Sequence, residues 1–475
     1  MGPALFPGTA QERCARHDNP RQGDADDSEA GVEARSVDKE NRARRRNWRM
    51  SMALEGTKVV DVSQVAAVPI AARHLADFGA DVLHIENPAT GDSWRVYQAG
   101  QGTGRAGVPS DINYNWENYN RNKRSVTVDI TQKEGQKVTY RFVEQADVFL
   151  TNLRPYELER YNMQYDTLKQ FNPRIIYGAL TGFGKKGPEK DAPAYDATAF
   201  WVRSGIPYMF ARPGMPNTGF RPAFGDNLAG LAMAFGVMVA LHVREKTGVG
   251  QELDVALFHA GMYQLGFDIA GALATGLDFA DWREEPPPEA IARVEEALAP
   301  VTAFYRSKVV NPLAGRYITK DKRMIVFVVL QPDRYWAKFC RAIEREDLID
   351  DPRFNSYETR MENCQLLYPI FDDIFKTRTL EEWKPLLKGI PYAPHQSLLE
   401  AVNDPQARAN DFFVAYDHPT YGRIEGVANP VKLSETPPTV RMPAPEFGQH
   451  TEEVLLEYGY TWEDIARFKE QGVVA

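Results

Sequence analysis

Cysteine is scarce in this chain, whose 475 residues include only Cys14, Cys340 and Cys364. These three form neither a CxxC pair nor a spacing typical of metal ligands, so the sequence predicts no disulfide framework and no metal site. The sequence also lacks an apolar run of membrane-spanning length and a signal peptide, so we expect no membrane contact. Free thiols without a disulfide pattern favour a reducing compartment, and we predict a cytoplasmic location.

An excess of positive charge is also missing. The chain carries 56 basic and 65 acidic residues, a net charge of -9, which disfavours general binding to nucleic acid. Its 43% hydrophobic and 25% charged residues are typical of a globular protein. Apolar residues are rare in residues 1–50, where clustered charges predict a disordered tail.

Alternating strand-like and helical patterns predict an α/β fold. The β-branched run Lys58–Val62, helical spacing over Ile70–Gly79 and a second run at Asp81–Ile85 form a βαβ unit, which implies a parallel sheet. Further strands are predicted at 125–130, 148–151 and 174–180, with helices at 133–145 and 165–170. The sequence therefore predicts a doubly wound sheet, with ligands at the carboxyl ends of its strands.

The second half of the chain predicts a smaller α+β domain. Tyr317–Leu330 has the pattern of a hairpin with a turn at Lys320–Lys322, and helices are expected at 335–344, 364–376 and 454–471. The predicted divisions are a tail at 1–50, the N-terminal part of the large α/β domain at 51–230, a helical linker at 231–290, the small domain at 291–390, and a return linker with the C-terminal part of the large domain at 391–475.

Asp226 is an acidic residue at the start of an apolar helix predicted over Leu228–Val243. A carboxylate there faces unpaired backbone N–H groups and the positive end of the helix dipole, which would keep it ionised. An ionised carboxylate beside an apolar body is suited to act as a nucleophile. Asp is also favoured as a plain N-cap, so both interpretations stand at this point.

Two glycine-rich segments invite a nucleotide-binding interpretation. Gly102–Gly107 matches GxGxxG, but no strand precedes it and no helix pattern follows it, so we interpret it as a loop. Thr181–Pro188 follows a predicted strand and could bind an anion, although an ordinary turn fits it equally well. Arg121, Lys123 and Arg124 lie close to predicted strand ends, where they could bind phosphate or simply be solvated.

Taken together, these segments resemble the class III CoA-transferases (the CaiB/BaiF family) from about Leu54 to the C-terminus. The similar segments are Leu54–Val62, Asp77–Glu86, Asn120–Ser125, Ala146–Pro155, Asn172–Tyr177, Gly182–Pro188, Gly225–Asp226 and Arg244–Gln251. Many short motifs in register are more specific than any single motif.

The resemblance implies a function and a set of site residues. By its position in the Gly225-Asp226 motif, Asp226 would be the nucleophile that carries CoA between two acids through an aspartyl anhydride and an aspartyl-CoA thioester. Near the reacting centre it places Tyr195, Asp196 and Gly225, and along CoA it places Val65, Ala66, Asn152, Leu153, Arg154 and Arg160. It implies no cofactor beyond CoA as substrate and no metal. Its partners would be an acyl-CoA, a carboxylic acid and a second copy of the chain in an interlocked homodimer, with candidate crossing segments at Pro286–Pro288 and Asp404–Asp411.

Departures from the family pattern bear on the substrate. Ala66 and Asn87 replace a Gln and an Arg that are frequent in the family. The contacts that those two longer side chains would make are therefore not available in this chain. The stretch Asn311–Tyr317 lacks the four consecutive glycines of the formyl-CoA/oxalate branch. The segment Ala194–Gly205 is more similar to the branch that acts on 2-hydroxy acids. The bulky residues Phe200, Trp201, Tyr208 and Phe210 could line an apolar acyl site or belong to the core.

Three alternatives remain open on the same fold. A racemase would need a His–Asp pair, but no histidine occurs between His84 and His242. An acyl-CoA hydrolase would use the same nucleophile, with water as acceptor. A CoA-binding protein without chemistry could keep Asp226 as an N-cap.

Overall fold

A computed structural model describes residues 52–95, 110–210, 221–276 and 311–475. The predicted tail, the Gly102–Gly107 loop and the Pro286–Pro288 stretch lie outside the described residues. Within them, most of the predicted elements are present, several with shifted boundaries.

Six parallel strands form one sheet in the order β3-β2-β1-β4-β5-β6. The strands are β1 Lys58–Val62, β2 Asp81–Glu86, β3 Lys123–Thr127, β4 Val148–Thr151, β5 Ile176–Thr181 and β6 Glu252–Ala256. The chain builds the sheet from β1 towards one edge and then from β4 towards the other. The winding direction thus switches between β1 and β4, which opens a crevice at their carboxyl ends. The predicted doubly wound parallel sheet is confirmed.

Helices and one π-helical turn accompany this sheet. The helices are α1 Ala67–Asp77, α2 Tyr114–Asn120, α3 Lys133–Gln145, α4 Pro155–Arg160, α5 Tyr165–Phe171, α6 Ile206–Phe210, α7 Phe224–Thr247, α8 Leu257–Gln264 and α9 Gly266–Thr275, and the π-helical turn is Asp196–Val202. Because strand side chains alternate in direction, Val59 packs in a core that includes residues of α1 and α7, whereas Val60 packs in a core that includes residues of α3. Both faces of the sheet are thereby covered.

The chain after residue 311 forms a third hydrophobic core, separate from the two on the faces of the large sheet. It contains Tyr317, Phe327, Trp336 and Phe371. An antiparallel sheet and four helices contribute to this region: β7 Arg316–Ile318, β8 Met324–Phe327, β9 Tyr392–Pro394, α10 Pro332–Ala342, α11 Tyr357–Glu362, α12 Cys364–Phe375 and α13 Leu380–Leu386. The predicted hairpin is therefore present, and β9 adds a third strand that the sequence pattern did not indicate.

The last part of the chain returns to the large sheet. Its elements are α14 Leu398–Val402, α15 Pro405–Ala409, β10 Phe413–His418, β11 Gly422–Val427, α16 Thr451–Glu457 and α17 Trp462–Glu470. Val454 and Phe468 pack in the same core as Val60. The single helix predicted over 454–471 was wrong, because the chain turns at Gly459, whose φ is 86°, and α16 and α17 are separate helices.

Helix α7 differs from its prediction at both ends. It begins at Phe224, four residues before the predicted start, and has 24 residues. By length and apolar composition it could span a membrane, and it is the one such helix among the residues the structure describes. The core helix of a globular protein passes the same test, and Met233 and Val237 of α7 are fully buried in the core beside the sheet.

Candidate active site

A cavity of about 290 Å³ lies at the carboxyl ends of β1, β4 and β5. Eight of the ten residues that the resemblance placed at the site line this cavity: Val65, Ala66, Asn152, Leu153, Arg154, Tyr195, Asp196 and Asp226. They come from four separate parts of the sequence, so it is the fold that brings them together. Gly225 and Arg160 are not among the lining residues.

The turn after β1 is fixed to the turn after β4 by one amide side chain. Asn152 Oδ1 accepts the Gln64 N–H at 3.1 Å, and Asn152 Nδ2 donates to the Gln64 carbonyl at 2.7 Å. Both polar atoms of Asn152 are therefore engaged with the backbone. Asn152 therefore connects the two turns at the switch point of the sheet. Gln64 also lines the cavity, and the sequence did not predict it as a site residue.

Asp226 lies inside the first turn of α7 rather than at its cap. The residue before the helix is Ala223, in the left-handed region at φ 58°, and Asp226 is the third helical residue. The N-cap interpretation was wrong because the apolar pattern begins four residues after the helix does. Asp226 is 9% exposed, and it lines the cavity from the first turn of α7.

The expectation that the helix dipole keeps Asp226 ionised was also wrong for the free protein. Burial raises the pKa of Asp226 to about 8, and the negative charge of Asp196 contributes to the same shift. Loss of hydration and a nearby like charge both disfavour a carboxylate, and here they outweigh the dipole. At neutral pH, Asp226 is therefore largely protonated in the free protein.

Asp196 provides the carboxylate that caps α7. Its Oδ1 accepts the Gly225 N–H at 2.9 Å, across 29 residues of sequence. Burial raises the pKa of Asp196 to about 6, although hydrogen bonds from Gly225, Trp201 and backbone at the start of α7 lower it. The Gly225 N–H is thus already bound to Asp196.

Gly225 allows this close approach. A Cβ atom at this position would overlap both the Phe200 ring and Asp196 Oδ1. Phe200 is fully buried in the core, so the ring cannot move aside cheaply. The glycine of the Gly225-Asp226 pair is therefore required by the packing of α7 against the π-helical turn.

We expect Gly225→Ala to destabilise the fold by about 1–3 kcal/mol and to impair activity, because the added methyl group overpacks the core. Gly236→Ala is the matched control in the same helix, since a Cβ there meets only Leu253 at 3.6 Å and beyond. The control should be neutral or stabilising, by up to about 1 kcal/mol. Thermal unfolding of both variants measures this difference, and equal melting temperatures would contradict the packing argument.

Basic groups lie along one side of the cavity. Arg154 lines it while its Nη2 donates to Glu157 Oε1 at 2.8 Å, and Lys190 also lines it. Arg160 is exposed at the end of α4, with its guanidinium 5.8 Å from the centre of the Tyr161 ring. Tyr161 lines a second cavity of about 230 Å³, which shares Gln64, Leu153 and Glu157 with the first. A phosphate-binding role for Arg160 stays a prediction.

The other basic residues that we considered for phosphate binding form ion pairs with aspartates of the same chain. Arg121 Nη2 pairs with Asp77 at 3.0 Å, and Lys123 Nζ pairs with Asp61 at 3.1 Å. Arg124 Nη2 pairs with Asp81 at 2.6 Å. Arg121 and Lys123 are also buried, so for these two both the phosphate interpretation and the solvated interpretation were wrong.

Except for Tyr195, the aromatic residues of the 194–210 segment do not line the cavity. Phe200 belongs to the core, and Trp201 packs against Phe224 with ring centres 5.3 Å apart. Tyr208 and Phe210 are exposed. Tyr195 is the aromatic residue on the cavity wall, with its side chain largely exposed.

Sequence reasoning missed several further lining residues, among them Gln64, Ser93 and Lys190. Gln64 and Ser93 follow strands β1 and β2, and this position at the carboxyl end of a parallel strand is the signal that could have identified them. In the ranges that the structure describes, no three His, Cys, Asp or Glu side chains are grouped to hold a metal ion.

Comparison with known proteins gives one consistent result. Residues 54–451 match the model of CoA-transferase family III. An (R)-2-hydroxy-4-methylpentanoate CoA-transferase from Clostridioides difficile is 34% identical over 89% of this chain and 100% of its own length. A cinnamoyl-CoA:phenyllactate CoA-transferase from Clostridium sporogenes is 31% identical over 86% of this chain and 94% of its own. Among solved structures, a CAIB/BAIF family protein from Brucella suis matches with a TM-score of 0.67 and 25% identity, over 86% of this chain and 99% of its own.

Proposed function

The chain belongs to CoA-transferase family III, and we propose that it moves CoA from an acyl-CoA to a carboxylic acid through covalent intermediates on Asp226. The observation that carries this proposal is the placement of a buried carboxyl group, Asp226, on the wall of a cavity at the switch point of a doubly wound sheet. A carboxyl group that is buried in a cavity wall, with its pKa raised by burial and by a neighbouring acid, is a candidate functional group.

The first half-reaction transfers the donor acyl group and then CoA to Asp226. A carboxylate oxygen of Asp226 attacks the thioester carbonyl, the C–S bond breaks, and CoA leaves as thiolate, which gives a mixed anhydride. The thiolate then attacks the Asp226 carbonyl carbon of that anhydride. The donor acid leaves as a carboxylate, and an aspartyl-CoA thioester remains.

The second half-reaction runs the same steps in reverse order with the acceptor. The acceptor carboxylate attacks the aspartyl thioester and expels the CoA thiolate, which forms a second mixed anhydride. The thiolate attacks the acceptor acyl carbon, releases the product acyl-CoA and returns Asp226 as a carboxylate. Atoms and charge balance over both halves without a metal or redox cofactor.

We place CoA along the two adjoining cavities. The cavity with Asp226 would take the thioester end, and Arg154 and Lys190 on its wall supply positive charge for phosphate groups. The neighbouring cavity, which shares Gln64, Leu153 and Glu157, extends the available length. Arg160 would then contact phosphate from the exposed end of α4.

We further propose a 2-hydroxy acid as one of the two acids. This proposal is supported by the names of the Clostridioides difficile and Clostridium sporogenes relatives, which refer to such acids. It also agrees with the similarity of the 194–205 segment to the 2-hydroxy acid branch of the family. A panel of 2-hydroxy acids, oxalate and simple fatty acids, each offered as acceptor with one acyl-CoA donor, tests this choice. Equal rates for oxalate and the 2-hydroxy acids would contradict it.

A trapping experiment tests the covalent route. The protein is incubated with an acyl-CoA but no acceptor and quenched with hydroxylamine or borohydride, and the peptides are mapped by mass spectrometry. A modification at Asp226 is the expected result. Exchange of the substrate α-proton in D2O without a label would indicate a racemase, and steady release of free CoA without acceptor would indicate a hydrolase.

A homodimer is the proposed assembly. Helices α7, α8 and α9 leave large apolar side chains exposed in the single chain, among them Phe235, Tyr263, Phe267 and Leu273. Exposed large apolar side chains on neighbouring helices support an interface between two copies of the chain. Light scattering on the purified protein distinguishes monomer from dimer. The interlocked arrangement and the cytoplasmic location stay predictions.

A further inference from the structure

A histidine is fully buried beside the cavity without reaching it. His84 lies on β2 and is 0% exposed, and it is not among the residues that line either adjoining cavity. A side chain in this position cannot touch a substrate. Its contacts must therefore explain why an ionisable ring is buried there.

Both ring nitrogens of His84 face carboxylates. Nδ1 is hydrogen-bonded to Asp61 Oδ2 at 2.9 Å, whereas Nε2 lies 3.5 Å from Asp92 Oδ2, within ion-pair distance but without hydrogen-bond geometry. An imidazolium carries a positive charge and a proton on each nitrogen, so it attracts both carboxylates, whereas a neutral imidazole has only one N–H group. Lys123 Nζ lies 3.1 Å from the same Asp61 oxygen. The two buried acids are thus matched by two buried bases.

The second carboxylate in this set holds the wall of the cavity. Asp92 accepts the Val65 N–H on both oxygens, at 3.0 and 3.1 Å. Its Oδ1 also accepts the Trp94 N–H at 2.8 Å, in the short turn Ser93–Arg95. Val65 and Ser93 both line the cavity with Asp226. One carboxylate therefore fixes two separate parts of the wall.

The Val65 turn needs such a restraint. Val65 has φ 73°, in the left-handed region that β-branched residues rarely occupy. A conformation of this kind persists only where the surroundings impose it, and such positions cluster at ligand sites. Here the imposing contact is the hydrogen bond from Val65 to Asp92.

We propose that His84 is a positioning residue: its imidazolium bridges Asp61 and Asp92, and through Asp92 it holds the strained Val65 turn and the Ser93 turn in the shape that binds CoA. This inference rests on the proposed function only in naming CoA as the ligand. The clamp itself is a property of the fold, and it consists of Asp61, His84, Asp92 and Val65.

The charge state of the ring agrees with this role. Burial alone would lower the pKa of His84, but Asp61 and Asp92 raise it to about 9, against a smaller opposing effect of Lys123. Glu86, on the same strand, also lies within electrostatic range of the ring. His84 thus carries a proton at neutral pH and loses it as the pH rises through about 9.

The test uses His84→Gln, with His74→Gln as matched control. His74 is also buried, but its Nδ1 contacts Asn429 and it is no part of the clamp. Two readouts are taken on folded protein: hydrogen exchange of the peptide that contains Val65, and binding of desulfo-coenzyme A by calorimetry. We expect His84→Gln to speed exchange and to weaken binding by about tenfold each, and His74→Gln to change neither.

Unchanged exchange at Val65 in folded His84→Gln would overturn the proposal. If that variant does not fold, Asp92→Asn replaces it, with the same two readouts and the same expected changes, and the affinity of Asp226→Asn for desulfo-coenzyme A is followed from pH 7.5 to 10, so that ionisation of Asp226 near pH 8 does not contribute. We expect the affinity to fall as the pH passes about 9, and a flat profile would also overturn the proposal. If the wild type does not bind the probe at all, the proposed function fails, but exchange at Val65 still decides the role of His84.

Discussion

Asp226→Asn is expected to abolish CoA transfer, with a loss of about 10⁴-fold or more in kcat. The amide has nearly the shape of the carboxyl group but cannot attack a thioester, so no anhydride and no aspartyl-CoA thioester forms. Transfer from a labelled acyl-CoA to an acceptor acid measures the rate. The trapping experiment on the same variant should leave the peptide that contains Asp226 unmodified.

The same substitution should not harm the fold. The pKa of Asp226 is about 8 in the folded chain and near its ordinary value of 3.8 when unfolded, so the folded state binds the proton more tightly. Its favourable contribution is complete below about pH 4 and is lost as the pH rises through about 8, where a charge must be buried. Asp226→Asn removes this charge, and we expect its melting temperature to equal or exceed that of the wild type above pH 8.

A carboxyl group outside the cavity serves as control. Asp254 on the edge strand β6 is more exposed than Asp226 and does not line the cavity, and partial loss of hydration also raises its pKa. Asp254→Asn should therefore retain transfer within a few-fold. Substantial transfer by folded Asp226→Asn, or an equal loss in both variants, would show that Asp226 is not the nucleophile.

The sheet could be predicted from the sequence because its strands are short, buried and β-branched. Lys58–Val62 and Val148–Thr151 are present with the predicted boundaries. The edge strand Glu252–Ala256 was missed, since Glu252 and Asp254 interrupt its apolar pattern and only one neighbour covers it. A strand that is buried on both faces has a continuous apolar sequence, which is easily recognised, whereas an edge strand can carry polar residues and lack this pattern.

The site was predicted less completely, for a different reason. The resemblance placed residues that follow strands, such as Asn152 and Arg154, and the fold does bring these to one cavity. The contacts between distant residues were not accessible: the Asp196 cap on Gly225 joins positions 29 residues apart. The pKa of Asp226 depends on burial and on the nearby charge of Asp196. The helix dipole alone predicted a lowered pKa, whereas the pKa is raised.

Asp196→Asn should shift the pH dependence of transfer towards acid. In the proposed mechanism Asp226 reacts as a carboxylate, so kcat/KM for the acyl-CoA donor should rise with pH through about 8 in the wild type. Removing the negative charge of Asp196 lowers the pKa of Asp226, while burial still keeps it above its usual value. A downward shift of about one unit would make the ionised fraction at pH 6 about tenfold larger.

The amide in Asp196→Asn can still accept the Gly225 N–H through its oxygen, which separates the charge of Asp196 from its role as a cap. Asp196→Ala removes both, and we expect it to lose about 1 kcal/mol of stability in addition, as other helix caps do. The pair thus distinguishes two functions of one carboxylate. If the acidic limb of kcat/KM stays in place in Asp196→Asn while the fold is intact, the charge of Asp196 does not set the ionisation of Asp226, and burial in the first turn of α7 must account for it alone.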